Sequence, residues 1–239
     1  VVGAGPGGYA AAFLAADLGI RVALIDMEPD PGGVCLYKGC IPSKALLHVA
    51  ELINESKHAA NWGIEFGSPK IDLDKLRAWK NGVLKKLTGG LGQLAKQRSV
   101  EYIRGKASLV DPKTLRIEKE AGEAVRLSVE HIIIATGSRP AGIPGLSGPR
   151  FLDSTGALEL RSIPKTMLVV GGGYIGLELG TAYAALGTQV SVVEMMPGLL
   201  PGADRDLVTP LAKRLGKMLH HVMVSTKVAG ATETPDGVR

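Results

Sequence analysis

Residues 1–26 recur, without a gap, as residues 169–194. Val1-Val2-Gly3-Ala4-Gly5-Pro6-Gly7-Gly8 returns as Val169-Val170-Gly171-Gly172-Gly173-Tyr174-Ile175-Gly176. Each copy continues with an Ala-rich stretch, a Leu-Gly stop (Leu18-Gly19, Leu186-Gly187) and an apolar run ending in an acid, Asp26 or Glu194. The order is strand, glycine turn, helix, strand, acid, so the chain has to fold around two copies of one α/β unit.

The spacing has the logic of a dinucleotide site. Gly3 and Gly171 make the tight turn, Gly5 and Gly173 let backbone approach a pyrophosphate, and Gly8 and Gly176 let the helix lie close to the strand. Asp26 and Glu194 close their second strands where a carboxylate can accept hydrogen bonds from ribose hydroxyls. A single glycine turn would be weak evidence. Two ungapped copies with all five parts point to two Rossmann-like, three-layer α/β domains, incomplete at both ends.

Between the copies the pattern predicts helices over about Pro42–Glu55 and Asp72–Thr88, the second with Leu73, Leu76, Val83, Leu84 and Leu87 at helical spacing. Short strands are expected at Val100–Arg104, Thr114–Glu118 and Val125–Val129, and a buried strand at His131–Thr136. Trp62 and Trp79 read as packing residues. The Pro/Gly-rich run 139–149 marks a boundary, giving domains of 1–145 and 146–239.

Lys and Arg total 28 against 23 Asp and Glu, a net charge of +5, but the charges are scattered and aromatics make up only 4%. That argues against nucleic-acid binding. No uncharged run reaches the roughly eighteen residues a membrane helix needs, and the apolar start lacks the basic region of a signal peptide. A soluble, cytoplasmic protein is expected.

Cys35 and Cys40 are the only cysteines and stand in Gly33-Val34-Cys35-Leu36-Tyr37-Lys38-Gly39-Cys40-Ile41-Pro42-Ser43-Lys44. In a regular helix residues five apart are separated by about 7.5 Å of rise plus a lateral offset, beyond the disulfide limit of about 7 Å between Cα atoms. The segment must bend if the thiols are to meet, and Gly33, Gly39 and Pro42 provide the means. Buried structural cysteines, a metal site and a redox dithiol are the alternatives. Metal is short of ligands, since only His48 lies near, and no metal is expected. A helix beginning near Cys40 would favour its thiolate, with Lys38 and Lys44 adding positive potential. A dithiol beside two dinucleotide units suggests an electron path in which a flavin mediates between sulfur and nicotinamide.

The sequence resembles the FAD-dependent pyridine nucleotide–disulfide oxidoreductases, and among them the dihydrolipoyl (lipoamide) dehydrogenases. The resemblance spans the chain. It is carried by the two glycine turns, Gly32-Gly33-Val34-Cys35, Gly39-Cys40-Ile41-Pro42-Ser43-Lys44, Leu87-Thr88-Gly89-Gly90-Leu91, Ala135-Thr136-Gly137-Ser138-Arg139-Pro140 and the Leu177-Glu178 that follows the second turn. It implies FAD on the first unit and NAD on the second. FAD contacts would include Gly3, Gly5, Pro6, Gly7, Gly8, Asp26, Lys44, Ala107, Thr136 and Gly137. NAD contacts would include Gly171, Gly173, Tyr174, Ile175, Gly176, Glu194 and Val228.

The resemblance makes Cys35 the interchange thiol, Cys40 the thiol that contacts the flavin, and Lys44 a residue by the flavin paired with Glu178. Met195-Met196 after Glu194, in place of arginine, favours NAD over NADP. The implied activity is oxidation of protein-bound dihydrolipoamide to lipoamide with reduction of NAD, the lipoyl domain of a 2-oxo-acid dehydrogenase complex being the partner.

Three departures stand out: Tyr37-Lys38 for an Asn-Val pair, Asp26 for Glu, and Tyr174 for an aliphatic residue. The family's base is a His five residues before a Glu, in a C-terminal domain that also forms a homodimer. None of the five histidines here has a Glu at that spacing. The chain is therefore read as roughly the N-terminal half of the enzyme. The alternatives are a glutathione- or mercuric-reductase-like flavoprotein, a nucleotide-binding fragment without turnover, and a docking scaffold.

Overall fold

The computed structural model describes residues 1–119 and 122–239. The chain divides into two compact units, one of Val1–Pro42 with Asn81–Arg139, the other of Ser43–Lys80 with Pro140–Arg239.

The first unit opens with Val2 and the glycine turn, then α1 (Pro6–Asp17) and β1 (Ala23–Asp26). Proline at the first helical position suits α1, because its missing N–H would have no helical partner there. The helix stops at Leu18, and Gly19 takes the left-handed conformation (φ +84°) that ends it. After α2 (Gly33–Lys38), α3 (Cys40–His58) and α4 (Leu73–Gln97) come β2 (Glu101–Arg104), β3 (Lys106–Asp111), β4 (Thr114–Glu118) and β5 (Ala124–Ser128). Strands β1 and β2 pair in parallel, and Val2 bridges in parallel to Ile25 on one side and Ile134 on the other. Strands β3, β4 and β5 form an antiparallel meander. The two-residue alternation of β1 serves two cores: Leu24 joins Ala4, Ala12, Ala95 and Val100, while Ile25 joins Leu115 and Ile117.

The second unit holds most of α3, the start of α4, and the second copy of the repeat: α5 (Ser154–Glu159), β6 (Thr166–Val170), α6 (Tyr174–Ala185), β7 (Gln189–Val193), α7 (Arg205–Met218) and β8 (His221–Met223). Strands β6, β7 and β8 are parallel in that order, and β9 (Glu233–Thr234) pairs antiparallel with β10 (Gly237–Val238). Gly187 (φ +112°) ends the Leu-Gly stop of α6 as Gly19 ends that of α1. The core collects Tyr183, Val190, Val192 and Leu215 with Leu46 and Ile53 of α3.

The sheets and helices are those of an α/β protein with parallel nucleotide-type sheets. Three expectations need correction. Helix α4 continues through Thr88-Gly89-Gly90 to Gln97, since its far end buries Thr88 and Ala95 and that burial offsets the low helix propensity of glycine. His131–Thr136 is not a regular buried strand. It pairs with Val2, which donates its N–H to Ile133 O and accepts from Ala135 N–H, and Ile134 is 65% exposed. Trp62 does not pack; it is 75% exposed just after α3, while Trp79 is half-exposed with its ring 6.4 Å from that of His48. Residues 43–80 belong to the second compact unit.

Candidate functional site

The first glycine turn is held by backbone bonds and by its acid. Gly3 (φ +96°) donates to Ile25 O at 2.8 Å. Ala4 N–H donates to Asp26 Oδ2 at 2.6 Å, and Glu28 N–H donates to Asp26 Oδ1 at 3.0 Å. A Cβ on Gly8 would stand 1.7 Å from Gly3 O, and one on Gly3 would stand 2.2 Å from Ala135 O. Gly33, at φ +58°, brings its Cα so near Gly5 that an added Cβ would lie 2.4 Å from Gly5 Cα. Gly7 faces open space, and the N-cap Gly5 has no side chain to occupy the α1 N–H groups.

Pro6 and Gly7 are exposed at the helix start. Thr136 and Gly137 (φ +72°) follow directly on Ala135, and Ala107 on β3 packs with the Ile25 cluster. Gly3, Gly5, Pro6, Gly7, Gly8, Asp26, Thr136 and Gly137, expected to hold FAD, are thus gathered at or beside one turn.

The second turn repeats this geometry. Gly171 donates to Val193 O at 2.8 Å, Gly172 N–H to Glu194 Oε2 at 2.6 Å, and Met196 N–H to Glu194 Oε1 at 2.7 Å. Leu200 N–H donates to Gly172 O at 2.9 Å, just as Gly32 N–H donates to Ala4 O at 2.8 Å, so the repeat extends past its acid. Glu194 is buried, and the Met196 and Gly172 N–H donors hold its carboxyl below the usual carboxylate range. A Cβ on Gly176 would stand 2.7 Å from Gly171 O. The N-cap Gly173 leaves the start of α6 uncapped by any side chain, with Tyr174 and Ile175 exposed beside it. Val228 is half-buried in the irregular segment between β8 and β9. Both acids already accept backbone N–H bonds on each oxygen. Each oxygen keeps a second lone pair with which to receive a hydroxyl.

Cys35 lies half-buried on α2, and Cys40, exposed, is the first residue of α3; both are thiols here. The chain bends between them at Gly39, whose φ of −148° and ψ of −110° are not helical, and a Cβ there would meet Val34 O at 2.9 Å. Tyr9, on α1, has its hydroxyl titration pushed up by burial and by the nearby Cys35 sulfur. The charge expected at the thiols from Lys38 is directed elsewhere: its Nζ pairs with Glu28 Oε1 at 2.9 Å, and that contact raises its titration. Tyr37 donates to Asp30 O at 3.1 Å. Both departures therefore face the loop after Asp26.

Lys44 and Glu178 come together in the second unit, Nζ to Oε1, at 2.7 Å. Ser43, given no part by the sequence alone, donates its Oγ hydroxyl to the other oxygen, Glu178 Oε2, at 2.6 Å. A signal was present: Ser43, Leu46, Ala50 and Ile53 share one buried helical stripe, and a hydroxyl there needs a partner.

The family model for pyridine nucleotide-disulphide oxidoreductases matches residues 1–239. The chain belongs to that family. Relatives of this oxidoreductase chain include the dihydrolipoyl dehydrogenases of Vibrio cholerae, 46% identical over 100% of this chain and 50% of the relative, and of Geobacillus stearothermophilus, 45% identical with the same coverage. Among solved structures, LpdA from Mycobacterium tuberculosis superposes with a TM-score of 0.88 at 26% identity, over 99% of this chain and 53% of that one. The HOCl-induced flavoprotein disulfide reductase RclA from Escherichia coli gives 0.81 at 27% identity, over 99% and 51%. The chain spans about half the length of the curated relatives it matches. Among the described residues no helix of this oxidoreductase chain is long and apolar enough to cross a membrane.

Proposed function

We propose that the full-length protein oxidises dihydrolipoamide to lipoamide and passes the electrons to NAD. The observation that carries this reading is the pair of acid-locked glycine turns, hydrogen-bonded alike, with a bent dithiol segment directly after the first. The uncapped helix starts at Gly5 and Gly173 fit a pyrophosphate, and the Cβ-free cradles at Gly3, Gly8 and Gly33 fit close backbone approach. On this reading residues 1–145 hold FAD through Gly3–Gly8, Asp26, Lys44, Ala107 and Thr136-Gly137. Residues 146–239 hold NAD through Gly171–Gly176, Glu194 and Val228. A bound flavin supplies a two-electron carrier between a dithiol and a nicotinamide.

With the two cysteines joined, a substrate thiolate attacks the Cys35 sulfur and breaks the Cys35–Cys40 bond, releasing the Cys40 thiolate. The second substrate thiol then displaces Cys35 and closes the lipoamide ring. The substrate gives two electrons and two protons to the Cys35–Cys40 pair; a bound nicotinamide would supply the hydride acceptor that lets the disulfide re-form, one proton going to solvent. The lipoyl domain of a 2-oxo-acid dehydrogenase complex is the proposed partner, the full protein a cytoplasmic homodimer. Relatives at 45–46% identity named dihydrolipoyl dehydrogenase favour this over the glutathione- or mercuric-reductase-like alternative.

The purified full-length protein should carry flavin absorbance, develop a long-wavelength thiolate–flavin band on reduction, and form NADH from dihydrolipoamide and NAD. Cys35→Ser should abolish turnover. Reduction of glutathione disulfide by NADPH, without dihydrolipoamide oxidation, would overturn the reading.

A further inference from the structure

Ser43 is 7% exposed and shares its helix face with Leu46, Ala50 and Ile53, so its hydroxyl is a polar group on an apolar stripe. It donates to Glu178 Oε2 at 2.6 Å. The next residue, Lys44, reaches the other oxygen of that carboxylate at 2.7 Å. These two contacts differ in what they can enforce. The Lys44 side chain is 57% exposed and that of Glu178 25%, and an ion pair this open to water does little to fix two long side chains. The Ser43 hydroxyl turns on a single bond from a buried helix face. Its bond to a carboxylate is short and charge-assisted, which makes it the stronger and better-defined contact.

We infer that Ser43 is a positioning residue: it fixes the Glu178 carboxylate and, through it, the place of the Lys44 ammonium. This rests on the flavin–dithiol reading, in which Lys44 acts by the flavin. Ser43 itself moves no proton or electron. Its requirement is a hydroxyl on a small side chain: alanine removes the donor, and threonine keeps it.

The test uses the full-length holoprotein with Ser43→Ala, Ser43→Thr, Lys44→Met and the double variant Ser43→Ala/Lys44→Met. The readouts are melting temperature, kcat and KM for dihydrolipoamide, and the thiolate–flavin band during anaerobic reduction. Losing a hydrogen bond to a charged group predicts a fall in kcat of about tenfold for Ser43→Ala. KM should change little, the band should weaken, and Ser43→Thr should restore both. Because Ser43 acts through Lys44, adding Lys44→Met to Ser43→Ala should cost much less than it costs the wild type.

Wild-type kcat and band in Ser43→Ala would overturn the inference, and so would effects of the two changes that simply multiply. If Ser43→Ala fails to fold, the threonine variant decides: retained kcat and band support the role, and their loss at an unchanged melting temperature refutes it. A wild-type protein without the band refutes the flavin–dithiol reading itself and takes this inference with it.

Discussion

Gly7 and Gly8 are adjacent in the first turn of α1, yet replacing each with alanine should move stability in opposite directions. At Gly7 an added Cβ meets nothing within 4 Å. Alanine there gains helix propensity and loses no contact, for a stabilisation of about 0.5–1 kcal/mol. At Gly8 the Cβ falls 1.7 Å from Gly3 O and 2.8 Å from Gly3 C, whereas real Cβ contacts essentially never come under 3.0 Å. Both obstacles are backbone, in a turn already fixed by the Gly3-to-Ile25 and Ala4-to-Asp26 bonds, so α1 has to lift off the strand. Overpacking of this kind costs about 3 kcal/mol or more, exceeding the propensity gain. Gly176→Ala, with its nearest backbone atom at 2.7 Å, should fall between the two. Urea unfolding of the full-length variants without added nucleotide, read as shifts in midpoint at constant slope, measures all three. A Gly8→Ala protein as stable as the wild type, or a Gly7→Ala protein less stable than Gly8→Ala, would refute the argument.

Glu194→Gln should destabilise by about 1–3 kcal/mol at neutral pH, because an amide can offer only one acceptor to the Met196 and Gly172 N–H donors. The carboxyl titrates lower in the folded protein than the ordinary glutamate value of 4.5. Its contribution is therefore fully present above that value and is lost as pH falls through the lowered folded value; the stability difference between wild type and Glu194→Gln should shrink in acid. Lys80 is 5% exposed, donates to Leu158 O at 2.7 Å, and has its titration lowered by burial. The unfolded chain then binds more protons than the folded one as pH approaches 10.5, so wild-type stability should rise relative to Lys80→Met as pH is raised from 7. A pH-independent difference in parallel urea titrations would contradict this.

The glycine turns and their acids were legible because the repeat displays them twice, and each residue type there answers a local geometric demand. Gly8 must lack a Cβ wherever it occurs, so its identity carries its role. Ser43 was harder to find. Its function depends on Glu178, far away in sequence, and a serine following proline near a helix start is ordinary until the stripe with Leu46, Ala50 and Ile53 is drawn. Chain proximity puts Lys38 beside the thiols, but in the structure its ammonium pairs with Glu28. Local propensity ends α4 at its glycines, whereas Thr88 and Ala95 are buried by tertiary contacts that carry the helix on. Ile133 and Ile134 read as a buried strand from composition alone; burial depends on what covers a segment, which composition does not report.

Val2 lies between Ile25 and Ile134, so the pairing beside β1 is completed by residues from the far end of that unit's sequence. The second unit's β6, β7 and β8 follow one another directly along the chain. Closing a long loop costs more entropy than pairing neighbours. During synthesis the first unit therefore cannot complete its sheet until residue 134 has left the ribosome, while the strands of the second unit's sheet can pair in the order in which they emerge. The sheet translated first has the slower topology. Its exposed Val2 edge is then the part of the nascent protein that waits longest for a partner.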